Sequence, residues 1–479
     1  MALRPVIFWF RQDLRLSDNP ALAAAARSGS PLMPVYILDD RAAGDWAAGG
    51  AGRWWLHHSL VSLAKDLEAR GLTLALFRGD SLEILSALCN GIDAEAVFFT
   101  RAYDPPGVAL ETAVAGMLKR IDVAARRFGG ALLFEPEAIK TKAGGPFQVF
   151  TPFHKACLGE TVAPPAQSDL PLLPFRGAPG GEMLADWGLT PSKPDWSGDL
   201  AETWEPGETG ASRRLEAFLS GELAAYPEAR DRPGEAGTSR LSPHLHFGEI
   251  SPRTIWQRTE MKAQSEGGGV AQAAQAFLRE VVWREFSAHL LFHFPDLPEK
   301  PFKARFRGFP WAPEEAALKA WQRGRTGYPL VDAGMRELWR TGWMHNRVRM
   351  ITASFLVKHL LIPWQEGERW FWDTLVDADL ANNAASWQWV AGCGADAAPY
   401  FRIFNPVLQG RKFDPLGGYV RKWVPEIAGL PDRVLHSPWE ATEGELSAAG
   451  LTLGRDYPLP IVDHGFARAR ALEKLEEIK

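Results

Sequence analysis

Asn346, Arg349 and Met350 fall at i, i+3 and i+4, so a helix there places an amide, a guanidinium and a thioether on one face. Asn383 and Trp387 repeat the i, i+4 relation further along, just after Asp377 and Asp379. Two helices thus carry amides, an arginine, two acids and a tryptophan on faces that are otherwise apolar. Burying so many polar groups is costly unless they pair with one another or with a ligand. The chemistry this pattern suits is the holding of a large cofactor, partly aromatic and partly polar.

Two further clusters stand out. Gly237-Thr238-Ser239-Arg240-Leu241-Ser242-Pro243 is a hydroxyl-rich turn leading towards a helix. It can cradle a phosphate through N–H groups and side-chain oxygens, or it can simply cap that helix. Glu280, Trp283, Arg284 and Ser287 share a helix face. They read either as an intrahelical Glu–Arg pair beside a core Trp or, with Trp389, as two aromatic plates beside polar donors, a clamp for stacked bases.

The elements that must position these residues fall into two kinds. Residues 5–135 alternate short apolar runs (Val6–Phe10, Met33–Leu38, Leu72–Phe77, Ala96–Thr100) with helical stretches (Asn19–Ser28, Arg53–Arg70, Ser81–Cys89). That rhythm predicts a parallel α/β sheet over 1–135. No G-x-G-x-x-G follows the first run, which argues against a dinucleotide site there; Gly79-Asp80-Ser81 reads as a helix N-cap. A Pro- and Gly-rich surface connector spans 136–210. Helical periodicity then dominates 211–479: Ser212–Leu223, Val270–Phe294, Glu314–Arg323, Pro329–Arg340, His345–Leu361 and Glu366–Leu375.

Composition narrows the classes. The net charge of −5 gives no global nucleic-acid signature, but residues 1–210 hold 19 basic and 25 acidic side chains against 34 and 33 in 211–479. Local basic stretches at 336–349 and 402–422 can engage phosphates in an acidic protein. Three scattered cysteines form no zinc pattern, disulfide framework or iron–sulfur set, which suits a reducing cytoplasm. No secretory signal or membrane-length apolar run is present. Eleven of the 20 Trp lie between Trp311 and Trp439, more than economical core filling requires.

In motif order the chain resembles the photolyase/cryptochrome family over residues 5–430. The matching stretches are Phe8–Arg15, Gly237–Ser242, Trp283–Phe286, Thr326–Asp332, Trp343–Arg347, Asp377–Asp379 and Pro399–Pro406. The resemblance implies an N-terminal α/β domain with a Rossmann-like sheet and a C-terminal all-α domain holding a U-shaped FAD. It implies light-driven repair of cyclobutane pyrimidine dimers in DNA, a deoxyribodipyrimidine photolyase activity in which excited reduced FAD gives an electron to a flipped-out dimer.

Residue by residue, the resemblance assigns Tyr226, Thr238, Ser239, Arg240, Leu241, Ser242 and Phe277 to the FAD. Arg349 and Asp377 resemble the ion pair beside the flavin ring, with Asp379 in the same site. Asn383 resembles the residue facing flavin N5, where an uncharged amide suits a fully reduced anionic flavin. Trp283 and Trp389 resemble the lesion's aromatic walls; Glu280, Asn346 and Met350 resemble the residues on the thymine edges, with Glu280 stabilising charge on the dimer. Arg230, Arg284, Arg347, Arg402 and Gln409 resemble residues that meet the DNA. Trp387, Trp364 and Trp311 resemble the tryptophan chain that rereduces the flavin; the family's spacing selects Trp311 over Trp321. No metal is implied.

Asn346, where a six-four enzyme carries His, favours dimer repair. Gly52–Leu60 and Tyr103–Pro105 look more like class III photolyases and plant cryptochromes than class I enzymes. The resemblance favours methenyltetrahydrofolate over a deazaflavin as antenna, and a cytoplasmic monomer acting on damaged DNA. Two competing readings remain: a cryptochrome-like blue-light photoreceptor without repair, against which the absence of a long C-terminal extension argues, and a flavin-free helical nucleic-acid-binding protein whose Trp cluster is only core.

Overall fold

The computed structural model describes residues 3–177, 180–396 and 401–478. The chain forms two compact units, each described by itself. The first comprises Met1–Ala224, Ser239–Pro295 and Val376–Ala381; the second comprises Ala225–Thr238, Asp296–Leu375 and Asn382–Lys479.

The first unit is built on five parallel strands, β1 (Val6–Phe10), β2 (Leu32–Leu38), β3 (Ala75–Arg78), β4 (Ala96–Thr100) and β5 (Ala124–Phe128), in the order β3-β2-β1-β4-β5. Helices α1 (Pro20–Arg27), α2 (Gly50–Glu68), α3 (Ser81–Ile92) and α4 (Pro105–Arg120) connect them. Continuous apolar runs make β1, β2 and β4, as a sheet covered on both faces demands. β5 carries exposed Arg126 and Arg127; charge on an edge strand blocks pairing with another chain, and it hides the strand from an apolar-pattern reading. Asp80 caps α3 as expected, accepting from the Leu82 and Glu83 N–H groups.

At the carboxyl ends of β1 and β4 the strand order reverses, the usual ligand crevice of such sheets. Here the chain's own side chains fill it. Arg11 donates to Glu111 and to the Thr100 carbonyl. Asp13 accepts from the Arg11 N–H (2.9 Å), Thr100 Oγ1 (2.7 Å) and Asn19 Nδ2 (3.1 Å). Buried Arg15 donates to the Asp18, Gly130 and Gly248 carbonyls. The Phe8–Arg15 motif therefore does architectural work.

The two units do not follow the cuts expected at 135 and 210. After α5 (Phe150–Cys157) and the connector, α6 (Glu208–Ala217), α7 (Pro252–Glu266) and α8 (Gly268–His293) group with the sheet. Polar ties explain α8. Glu285 accepts from the Leu133 (2.9 Å) and Phe134 (3.3 Å) N–H groups, and His289 from Phe147 N–H (3.0 Å). The connector itself is pinned at its middle, Leu32 N–H to Leu173 and Phe175 N–H to the Leu32 carbonyl.

The second unit holds α9 (Glu315–Gln322), α10 (Pro329–Thr341), α11 (Asn346–Ser354), α12 (Trp364–Thr374), most of α13 (Leu380–Ala391), α14 (Pro406–Phe413) and α15 (His464–Glu476). His345 caps α11, and a π turn over Phe355–His359 extends it, so the expected long helix is a helix plus a wider turn. Buried Asp332 accepts from Thr326 N–H (2.7 Å), Thr326 Oγ1 (2.7 Å), Gly327 N–H (3.0 Å) and Tyr457 O–H (2.6 Å). That explains the Thr326–Asp332 motif without a ligand. Among the described residues no helix is long and apolar enough to cross a membrane.

Candidate functional site

The hydroxyl-rich turn crosses from one unit into the other between Thr238 and Ser239. Tyr226 is buried, with the Arg230 guanidinium 5.3 Å from its ring. Gly237 passes so close to Ala229 that an added Cβ would sit 2.6 Å from its methyl. Arg240 is held at φ +50°, a left-handed conformation unusual outside glycine. Leu241 anchors the turn in the core, while Thr238, Ser239 and Arg240 are half-buried and Ser242 is exposed. The turn thus holds hydroxyls and a guanidinium at an accessible rim over an apolar anchor, a cradle suited to a diphosphate.

In the first unit, Asp377 is buried and Asp379 lies with its carboxylate 3.8 Å from His246 Nδ1. One of the two acids expected beside the cofactor, Asp379, is therefore beside His246 on the short helix that the turn opens. His246 is a residue that the sequence reading passed over; its position shortly after Ser242 was the available signal.

On α8, Phe277 is buried against Phe218 (4.5 Å between rings). Glu280 and Trp283 are half-buried. Trp283 stacks on Phe150 at 3.5 Å and 6° and meets Phe286 edge-on at 5.8 Å, so one face of the indole is covered by the protein's own ring. Arg284 donates to the Ala131 carbonyl (2.9 Å) and lies 3.5 Å from Glu285, directed towards the protein rather than outwards.

In the second unit, α11 presents Asn346 exposed and Met350 half-buried one turn on. Arg349 Nε donates to the Met344 carbonyl (2.7 Å) beside the Trp343 ring. Arg347 leaves this face, pairing with Asp231 (2.8 Å) and covering Phe413 (4.5 Å). Asn383 on α13 is buried, and its Nδ2–H donates to the Glu368 carbonyl (2.9 Å), which leaves Oδ1 as the acceptor end.

Glu368, missed in the sequence among the aromatics of α12, is also buried; burial pushes its carboxyl well above the usual range, and Oε1 has no hydrogen-bond partner among the described residues. A buried polar atom left without a partner calls for an explanation. Such an atom fits a residue shaped around a bulky polar cofactor such as FAD.

Trp387 and Trp364 are buried and Trp311 is half-buried against Phe309 (4.4 Å). Trp387 meets Trp321 edge-on at 6.3 Å and Phe371 at 5.0 Å. Trp321, set aside on spacing, is thus in ring contact with the chain's expected first member. Trp389 is half-buried, Arg402 exposed, and Gln409 half-buried on α14, which Asn405 caps. Pro399 and Tyr400 of the last motif lie outside the described residues. Among the described residues no group of His, Cys, Asp and Glu could hold a metal ion.

Comparison with known proteins places this geometry. Residues 6–171 match the DNA photolyase family model, and residues 277–477 match that of the FAD binding domain of DNA photolyase. The chain is 52% identical over 477 residues to a deoxyribodipyrimidine photo-lyase of Agrobacterium fabrum, covering 99% of this chain and 98% of that one. It is 40% identical over 482 residues to Cryptochrome-1 of Arabidopsis thaliana, covering 98% of this chain and 70% of the relative. A solved bacterial class III photolyase from Agrobacterium tumefaciens superposes with a TM-score of 0.96 at 51% identity, covering 100% and 98% of the two chains.

Proposed function

The chain belongs to the photolyase/cryptochrome family, and on that premise we propose that it is a class III photolyase, repairing cyclobutane pyrimidine dimers in DNA under blue light. Bound reduced FAD supplies the excited electron donor; the protein binds, orients and shields.

Thr238, Ser239, Arg240 and Ser242 grip the diphosphate and ribityl chain, with Tyr226, Leu241 and Phe277 packed behind. Arg349 and Asp377, with Asp379, flank the ring. Asn383 would offer the flavin ring an uncharged acceptor, and the Glu368 carbonyl fixes which way its amide points. Trp387, Trp364 and Trp311 would be the residues through which electrons reach the bound flavin.

The lesion leaves the duplex stack, and Trp283 and Trp389 are the aromatic plates for its bases. Glu280, Asn346 and Met350 address its base edges. Arg230, Arg347, Arg402 and Gln409 meet the backbone and set register; Arg284 contributes by fixing α8. A methenyltetrahydrofolate antenna, a monomeric state and a cytoplasmic location complete the reading.

The observation that carries it is Asn383, a buried amide whose Nδ2–H donates to the Glu368 carbonyl, so that Oδ1 is the end it can turn to a ring N–H. The test is blue-light repair of two oligonucleotides by the photoreduced protein. Repair of the dimer substrate and not of the six-four substrate is expected; repair of neither, with reduced FAD bound, would refute it. The likeness to a plant cryptochrome supports a second reading, a blue-light photoreceptor, for which the same assay returns no repair and light-dependent partner binding takes its place.

A further inference from the structure

Lys358 lies in the π turn that continues α11, the helix carrying Asn346, Arg349 and Met350. It is 1% exposed. A lysine so deeply buried ordinarily has a carboxylate partner, and among the described residues Lys358 has none. Its ammonium instead donates to the Arg402 carbonyl (3.1 Å) and sits 3.6 Å from the centre of the Phe401 ring. Both contacts favour a cation, the second through the ring quadrupole. A parallel tie runs from Phe404 N–H to Ser354 Oγ (3.3 Å). Phe401 packs against Phe309, and a Cβ on Gly392 would come within 3.2 Å of it. The backbone of Phe401–Phe404 is therefore clamped from inside, while the Arg402 side chain stays exposed.

We propose that Lys358 is a positioning residue for DNA recognition: its buried ammonium clamps the Phe401–Arg402 backbone to α11, holding the Arg402 guanidinium in register with Asn346 and Met350. This rests on the reading of Arg402 as a DNA contact. Neutral N–H could still reach the carbonyl, but the attraction to the Phe401 ring needs the charge, so the clamp is strongest while Lys358 is protonated.

Burial lowers the Lys358 amine to about 7, opposed by Cys393. The titratable groups facing it do not compete in that range: Cys393 is raised to about 12 and His359 lowered to about 3, both chiefly by burial. The charge is thus present in the folded protein below about pH 7 and lost above it.

The experiment measures dark binding of the flavin-loaded protein to a dimer-containing duplex from about pH 6 to pH 8.5, for wild type, Lys358→Met, Lys358→Arg and Arg402→Gln, spanning the shifted titration. Wild-type affinity is expected to fall several-fold across that range. Lys358→Met should bind about tenfold more weakly at low pH with a flat profile, and Lys358→Arg should keep tight binding to the top of the range. Parallel profiles for wild type and Lys358→Arg would overturn the clamp, and this pair remains decisive if Lys358→Met fails to fold. Arg402→Gln separates the two levels: weakened binding there with unchanged Lys358→Met sinks the clamp alone, whereas unchanged binding in Arg402→Gln sinks the reading beneath it.

Discussion

The ends of β1 and β4 and the wall around Asn383 both bury polar side chains, and they treat them oppositely. Asp13 accepts from three separate donors, and Arg15 spends its guanidinium on three carbonyls. Beside Asn383, whose amide donates to the Glu368 carbonyl, buried Glu368 has a carboxyl oxygen without a hydrogen-bond partner among the described residues. The contrast recurs inside the second unit, where Asp332 is met by four donors. Saturated burial makes architecture, because satisfied groups have nothing left to offer a ligand. Unsaturated burial marks where the chain is shaped for something else.

The largest effect should come from breaking a saturated cluster. Asp13→Ala strands three donors in the core and should cost about 3–4 kcal/mol of stability in urea unfolding, while protein that remains folded keeps its flavin. Loss of flavin with no loss of stability would place the cluster in the site after all.

Trp283→Ala tests the open side. Removing a stacking plate should cost about 1–3 kcal/mol of lesion affinity, roughly 10- to 100-fold in Kd, with FAD retained. Equal retention of affinity would mean that the Phe150 stack is the residue's whole role.

Glu368→Gln sharpens the comparison further. The folded-state carboxyl is raised, so above the usual carboxylate value the native protein holds a proton that the unfolded chain has released. Its contribution to stability therefore falls as pH rises through that window. The glutamine variant, which mimics the neutral form, should show a flatter stability–pH curve than wild type between about pH 5 and pH 8. Coincident curves would mean that the carboxyl is ionised in the fold. Arg126→Ser, on the charged edge of β5, should leave stability within about 0.5 kcal/mol.

Much of the fold was legible because parallel strands buried on both faces announce themselves as apolar runs; β1 and β4 match their expected limits. β5 escaped because Arg126 and Arg127 interrupt its apolar run, and α7 because only a few apolar residues, Ile255 among them, punctuate a mostly polar helix. Of the candidate site, helical spacing supplied the face of Asn346 and Met350. It could not supply what each cation does with its charge: Arg284 turns to Ala131 and Arg347 to Asp231, choices set by segments remote in sequence. Glu368 and Lys358 were invisible for the same reason, since a missing partner can be recognised only once the surroundings are known.

The most direct single measurement is blue-light repair of a dimer-containing oligonucleotide by chemically reduced, FAD-loaded protein, wild type beside Asn383→Asp. Wild type is expected to restore intact thymines only in the light, and the variant to keep FAD while losing at least tenfold in repair, in line with a charge placed where an uncharged acceptor is required. Reduced, FAD-loaded wild type that leaves the dimer intact would contradict the proposed activity; equal repair by both proteins would remove Asn383 from its centre.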